Sequence, residues 1–207
     1  MAFIEAIPDS DIGDDVRAMY ERQQAHYGYV PNYAKVFCYR PELMRLWAHL
    51  QSGIKHNMDK RRFELVTFAA AYALRSTLCS LAHGKALTEF FSTEDVQAMA
   101  RGEVPQSLSD AEAVMLAFGR KVARDASAVT SGDVERLKQH GFTDAEIFDI
   151  VATAAARAFF TKVIESLGVE VDAPFRSMSS EFRRALTVGR SVDFAEAERL
   201  AKVTGNS

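Results

Sequence analysis

Cysteine is scarce in this chain, with two among 207 residues, Cys38 and Cys79. They are too few and too far apart for the disulfide framework of a small secreted domain, which points to a reducing compartment. Proline is nearly as rare. All five prolines (Pro8, Pro31, Pro41, Pro105, Pro174) fall between periodic segments, as expected where proline would break a helix. Long apolar runs are missing too: the longest uncharged stretch, 65–74, is about half of what a bilayer crossing needs. No segment alternates apolar and polar residues with β-branched enrichment, so no strand is assigned. Positive charge is not in excess either. The net charge is −3, and the basic clusters Lys60-Arg61-Arg62 and Arg183-Arg184 are short, reading as solvated helix faces. The first residues, MAFIEAIPDSDIGDD, are acidic and lack the charged-then-apolar build of a secretory signal. These absences predict a soluble cytoplasmic protein with neither nucleic acid nor membrane as partner.

What remains is helical. Ser109 with Glu112 and Thr143 with Glu146 are Ser/Thr-x-x-Glu capping boxes opening apolar-periodic runs. Ser92 with Asp95 and Thr130 with Asp133 are weaker forms of the same signal, and Gly141 and Gly168 sit where helices should end. The pattern predicts helices over about 11–26, 32–38, 41–55, 59–75, 77–91, 93–101, 110–125, 131–140 and 143–167, with 179–188 and 193–203 in the tail. The expected organisation is one all-α domain over 1–178 and a helical tail over 179–207. A weak internal repeat is visible when Glu64 is laid over Glu146. Leu65, Phe68 and Arg75 then fall over Ile147, Ile150 and Arg157, but Ser76, Cys79 and His83 fall over Ala158, Thr161 and Glu165. On that pattern both halves would supply packing and only the first would carry chemistry; chance similarity between two Ala-rich buried helices is the alternative.

The chemistry-bearing stretch runs from Glu64 to Gly84. On a helix, Cys79 and His83 share a face, with Ser76 three positions before Cys79. A turn near residues 75–77 would put Cys79 in the first turn of a new helix, where free N–H groups and the positive dipole end favour a thiolate. His83, one turn deeper, could take or donate the thiol proton. Antiparallel packing about that hinge would bring Glu64 to the depth of His83, and a hydrogen bond would fix the imidazole tautomer. Nucleophile, base and a group orienting the base make a generalised triad. Spacing alone is also met by Cys79 as a buried small hydrophobe and His83 as a satisfied core histidine.

Glu64, Ser76, Cys79 and His83 stand at the spacing of the alkylhydroperoxidase D signature, a Glu followed by Cys-x-x-Cys and then His. The chain resembles the alkylhydroperoxidase D / carboxymuconolactone decarboxylase superfamily, with Ser76 in place of the first cysteine and Leu78 where some members carry a histidine. The likeness covers roughly 27–175: Tyr27-Gly28-Tyr29-Val30-Pro31-Asn32, Arg40-Pro41-Glu42-Leu43, and Phe142-Thr143-Asp144-Ala145-Glu146-Ile147 leading to Ser166-Leu167-Gly168-Val169-Glu170 look like the longer "peroxidase-related" branch. The resemblance implies an alkylhydroperoxidase D-like helical bundle, a homo-oligomer (dimer, trimer or hexamer), and no metal or cofactor. It also implies that Cys79 attacks a hydroperoxide and that the missing cysteine would have resolved the sulfenic acid.

Ser76 cannot form that disulfide, though its hydroxyl could bond a Cys79 thiolate. An external thiol, or Cys38, would have to resolve the sulfenate. Three function classes follow: reduction of hydroperoxides by Cys79 with Glu64 and His83 as a proton relay; acid–base chemistry on a small lactone-like organic acid, as in the sister decarboxylases; or a non-catalytic member kept for binding. The retained Cys79 favours the first. Glu64, Cys79 and His83 would offer a metal only three ligands. Trp47, Phe37, Phe63, Phe68, Tyr72, Phe159 and Phe160 are expected mostly in the core, one or two of them in a substrate pocket. His26, His49, His56 and His140 are expected at the surface.

Overall fold

Side-chain caps set where the helices begin. In the computed structural model, which describes residues 2–192, Ser109–Glu112, Thr130–Asp133 and Thr143–Glu146 are all reciprocal capping boxes, while Ser92 caps one way only, accepting from Asp95 N–H. Each such cap stabilises its helix by about 1 kcal/mol. The helices are α1 (Asp14–Tyr27), α2 (Asn32–Val36, continued by a 3₁₀ turn at Phe37–Tyr39), α3 (Pro41–Asn57), α4 (Lys60–Ala73), α5 (Thr77–Leu87), α6 (Thr93–Arg101), α7 (Asp110–Arg124), α8 (Ser131–Gln139), α9 (Asp144–Ser166) and α10 (Ser180–Leu186). No strand occurs among the described residues, and none of their helices is long and apolar enough to cross a membrane. Gly141 and Gly168 close α8 and α9 at φ 88° and 66°, a backbone state glycine adopts cheaply. The helix expected over 193–203 lies outside the described residues.

α4 is the centre of the bundle. Every side chain from Phe63 to Ala71 is buried, so the helix is enclosed on all sides rather than on one stripe. α5, α7 and α9 pack around it. Gly119 lets α7 close onto α4, since a Cβ there would stand 3.3 Å from Val66 Cγ1. The basic run at the start of α4 does lie at the surface, and it is also stitched to other segments: Lys60 to Glu89 (2.5 Å), Arg61 to Glu112 (2.6 Å) and Arg62 to Glu146 (2.8 Å).

Where α4 ends, the chain reverses in three residues. Arg75 N–H bonds Tyr72 O (3.1 Å) and Ser76 N–H bonds Ala71 O (3.1 Å), the paired closure that puts the residue after the cap in the left-handed region. That residue is Arg75, at φ 59°, where glycine is usual and a side chain costs roughly 1–2 kcal/mol. Arg75→Gly is therefore expected to stabilise the fold by up to about 1 kcal/mol, part of the relief being offset by glycine's freedom in the unfolded chain. A lowered urea midpoint in that variant would refute the reading.

α5 stops at Leu87, short of the expected 91. Phe90 and Phe91 N–H both turn back to Leu87 O (2.9 and 3.0 Å), which seats Phe91 beneath the Arg61 guanidinium, 4.1 Å from ring centroid to Cζ. α10 packs on α5 and α6, its Leu186 lying over Gly84, where a Cβ would come within 2.5 Å of Leu186 Cδ1. The following residues return to the hinge. Thr77 Oγ1 donates to Arg190 O (2.9 Å) and accepts from Gly189 N–H (3.2 Å).

Candidate active site

The Arg75 reversal lays α5 antiparallel to α4 and brings Glu64 against His83. Glu64 Oε2 is 2.7 Å from His83 Nδ1, and the carboxylate is buried, with 7% exposure. Burial opposes charge on Glu64, but the neighbouring His83, Lys55 and Arg157 outweigh it and hold the carboxyl below its ordinary value. Burial, then the positive field of Arg157, pushes the His83 imidazole below its ordinary value against the pull of Glu64. At neutral pH the pair is accordingly a carboxylate and a neutral imidazole. Nδ1–H then donates to Glu64, and the Nε2 lone pair remains free as a base.

Cys79 is the third residue of α5 and is 1% exposed. Ser76 is the helix cap. Its Oγ accepts from Cys79 N–H (3.3 Å) and donates its own hydrogen to Glu165 Oε1 (2.6 Å). The expectation that Ser76 would bond the sulfur therefore needs correction, because a hydroxyl has one hydrogen and Glu165 holds it. The donors on Cys79 Sγ come instead from α9: Thr161 Oγ1 at 3.6 Å and Arg157 Nη1 at 3.9 Å. No hydrogen bond joins Cys79 to His83 directly among the described residues. The two meet at the wall of one cleft.

The cleft has a volume of about 460 Å³, with Cys79, His83 and Arg157 in its lining. Trp47, Phe63 and Phe160 form its aromatic walls, and Trp47 stacks on Phe160 with centroids 5.1 Å apart. Tyr33 packs edge-on to Phe160 and donates its hydroxyl to Gln23 (2.7 Å). Of the aromatic side chains expected to be mainly core, Phe37 and Phe68 are buried away from the cleft, and Phe159 is 42% exposed. His26 is exposed yet borders the cleft mouth. Among the described residues no group of three or more His, Cys, Asp or Glu side chains is gathered as a metal site.

The same arrangement of helices occurs in solved structures. An uncharacterized peroxidase-related protein with an alkylhydroperoxidase AhpD core, from Ralstonia eutropha JMP134, superposes with a TM-score of 0.71 at 22% identity, covering 91% of this chain and 98% of that one. A peroxidase-related protein from Silicibacter sp. TM1040 gives 0.71 at 20% identity over 86% and 95%. The debrominase Bmp8, solved as a cysteine-to-alanine variant with 2,3,4-tribromopyrrole, gives 0.70 at 14% over 86% and 96%. This chain has the AhpD-like fold. No protein-family sequence model and no curated protein sequence matches it.

Within the AhpD-like fold, the second half of the weak repeat also lines the surroundings of Cys79. α9, the counterpart of α4 and α5 in the weak repeat, runs straight through Arg157 where the first half breaks at Arg75. It thereby presents Arg157 and Thr161 to the sulfur and Glu165 to Ser76. Thr161, laid over Cys79 by the repeat, touches it. Sequence reasoning misses Arg157 because the repeat presents it only as a partner of Arg75. The available signal is an arginine inside Ala-Ala-Ala-Arg-Ala-Phe-Phe, a charge that an apolar helix rarely keeps without a use. Cys38 takes no part in the site. It is buried, accepts from Ile7 N–H at 3.3 Å, and does not line the cleft, so it offers Cys79 no resolving thiol.

Proposed function

We propose that this protein reduces organic hydroperoxides with Cys79 as its one redox residue, drawing electrons from an external thiol. The observation that carries the reading is Cys79 Sγ held between Thr161 and Arg157 donors in a cleft shared with a Glu64–His83 pair. The thiolate attacks the distal peroxide oxygen; the O–O bond breaks, sulfur becomes sulfenic acid, and the departing alkoxide takes a proton to leave as alcohol. His83, relayed by Glu64, takes the thiol proton through the bound hydroperoxide and returns it to the alkoxide. An external thiol condenses with the sulfenic acid, releasing water, and a second thiol reduces the mixed disulfide.

Turnover of cumene hydroperoxide should therefore require added thiol, and dimedone should trap a sulfenic acid on Cys79. Ser76→Cys should give a disulfide between the introduced thiol and Cys79 on mild oxidation, while weakening the α5 cap by about 1 kcal/mol. Peroxide consumption without any thiol, or no consumption with any thiol tested, would refute the reading.

A second reading has one supporting observation. The debrominase Bmp8 shares the fold, and the aromatic walls of the cleft suit a halogenated ring. Thiolate attack on bromine would give a sulfenyl bromide and the protonated ring carbon, and two external thiols would then yield disulfide and bromide. Bromide release from a bromopyrrole with no activity on hydroperoxides would select it.

A homo-oligomer is part of the proposal. Leu43, Leu46 and Leu50 on α3 and Phe148, Val151 and Phe159 on α9 are exposed apolar side chains at helical spacing, and α3 packs against α9. Contiguous exposed apolar surface of this kind marks association sites. Light scattering should show a species heavier than the 23.0 kDa chain; a stable monomer at micromolar concentration would contradict this.

A further inference from the structure

The cleft holds more positive charge than the thiol chemistry requires. Arg157 is 7% exposed and, among the described residues, has no carboxylate within ion-pair distance; its Nε–H is closed to solvent and has no acceptor among them. A buried arginine is ordinarily paired with an acid. Here the guanidinium is wedged beside Trp47 and Phe160, 5.7 and 5.3 Å from their centroids, and it spares only a long contact for Cys79. Lys55 lines the same cleft, and its Nζ stands 4.6 Å over the Phe63 ring rather than on a carboxylate. The acid beside them, Glu64, is already bonded to His83. Two cations against one anion, in a site with low-dielectric walls, draw in a negatively charged ligand. The size of the cleft points the same way: about 460 Å³ is far larger than hydrogen peroxide needs, given roughly 30 Å³ for a water molecule.

We infer that the substrate of this site is an organic anion, a carboxylate carried on an aromatic or unsaturated body. Arg157 and Lys55 hold the carboxylate, and Trp47, Phe63 and Phe160 hold the body with its reactive group at Cys79. A planar guanidinium at the cleft wall suits a carboxylate. What happens to the ligand rests on the thiol reading above; its recognition rests on the cations alone.

The test separates the two. Binding of 1-naphthoate and of uncharged 1-naphthamide is measured calorimetrically on Cys79→Ser protein, with and without Lys55→Gln or Arg157→Met. The acid is expected to bind more tightly than the amide. Lys55→Gln should cut that preference about threefold, as for a partly exposed pair, and Arg157→Met should cut it tenfold or more. Should Arg157→Met fail to fold, the exposed Lys55→Gln change still decides. Equal binding of acid and amide, or equal weakening of both by Lys55→Gln, would overturn the inference. In the wild type, the ring-carboxylated derivative of cumene hydroperoxide should be consumed in preference to its methyl ester. Equal consumption of the two would overturn the anion site and leave the thiol reading standing. A naphthoate preference with no hydroperoxide turnover would do the reverse.

Discussion

Cys79→Ser is expected to remove thiol-dependent hydroperoxide consumption by about a thousandfold or more, since loss of a nucleophile leaves only binding and electrostatics. Serine is nearly isosteric, and the groups around position 79 suit it. Thr161 and Arg157 stand ready as donors to an oxygen, and the N–H of residue 79 keeps its bond to Ser76 Oγ. The fold should therefore survive, with a stability change on the order of 1 kcal/mol. The measurement is peroxide loss with dithiothreitol present, alongside far-UV circular dichroism and the mass of the dimedone adduct. A serine variant that keeps wild-type turnover would remove Cys79 from the mechanism. Acid–base chemistry by Glu64 and His83, or a binding role, would then take its place.

The parts of this site that were legible in the sequence are those fixed by local geometry. Glu64 lies about three helical turns before the reversal and His83 about two turns after it, so antiparallel packing brings them to similar depth, and they meet at 2.7 Å. Cys79 in the first turn of α5 follows from a chain reversal near residues 75–77 just ahead of an apolar helix. The capping boxes fixed the starts of α7 and α9 because a side chain and the backbone three residues on satisfy each other locally. What stayed hidden depended on non-local packing. Arg157, Thr161 and Glu165 reach the site because α9 lies against α4, and no local pattern encodes that approach. The turn near 75–77 was legible, but its left-handed closure was not: glycine is the usual signal for that closure, and Arg75 occupies it instead.

Glu64→Gln tests the relay. A glutamine can still meet Nδ1, but it is neutral, and if its amide turns it donates to Nδ1 and drives the imidazole proton to Nε2. The base facing the cleft is then lost. The expected fall in kcat is about 10²- to 10⁴-fold, the range for removing general acid–base assistance or fixing the wrong tautomer. The pH profile supplies a readout that mere structural damage would not give. Burial and the Arg157 charge hold His83 below 6.5 in the folded protein, so wild-type activity should decline only as pH drops below that value. Without the carboxylate that opposes those influences, the acid limb in Glu64→Gln should move to still lower pH. The stability dependence has the same direction. A histidine with a depressed folded value contributes stability that is complete above 6.5 and fades as the pH falls toward the folded value. Glu64, also depressed, adds stability that is complete above 4.5 and is lost at more acid pH. Urea midpoints should thus fall from pH 7 to pH 5 in the wild type as His83 loses its contribution, and Glu64→Gln should keep that fall while losing only the further decline below pH 4.5. A kcat within a few-fold of wild type, with the acid limb unmoved, would mean that Glu64 only packs against His83 and relays no proton.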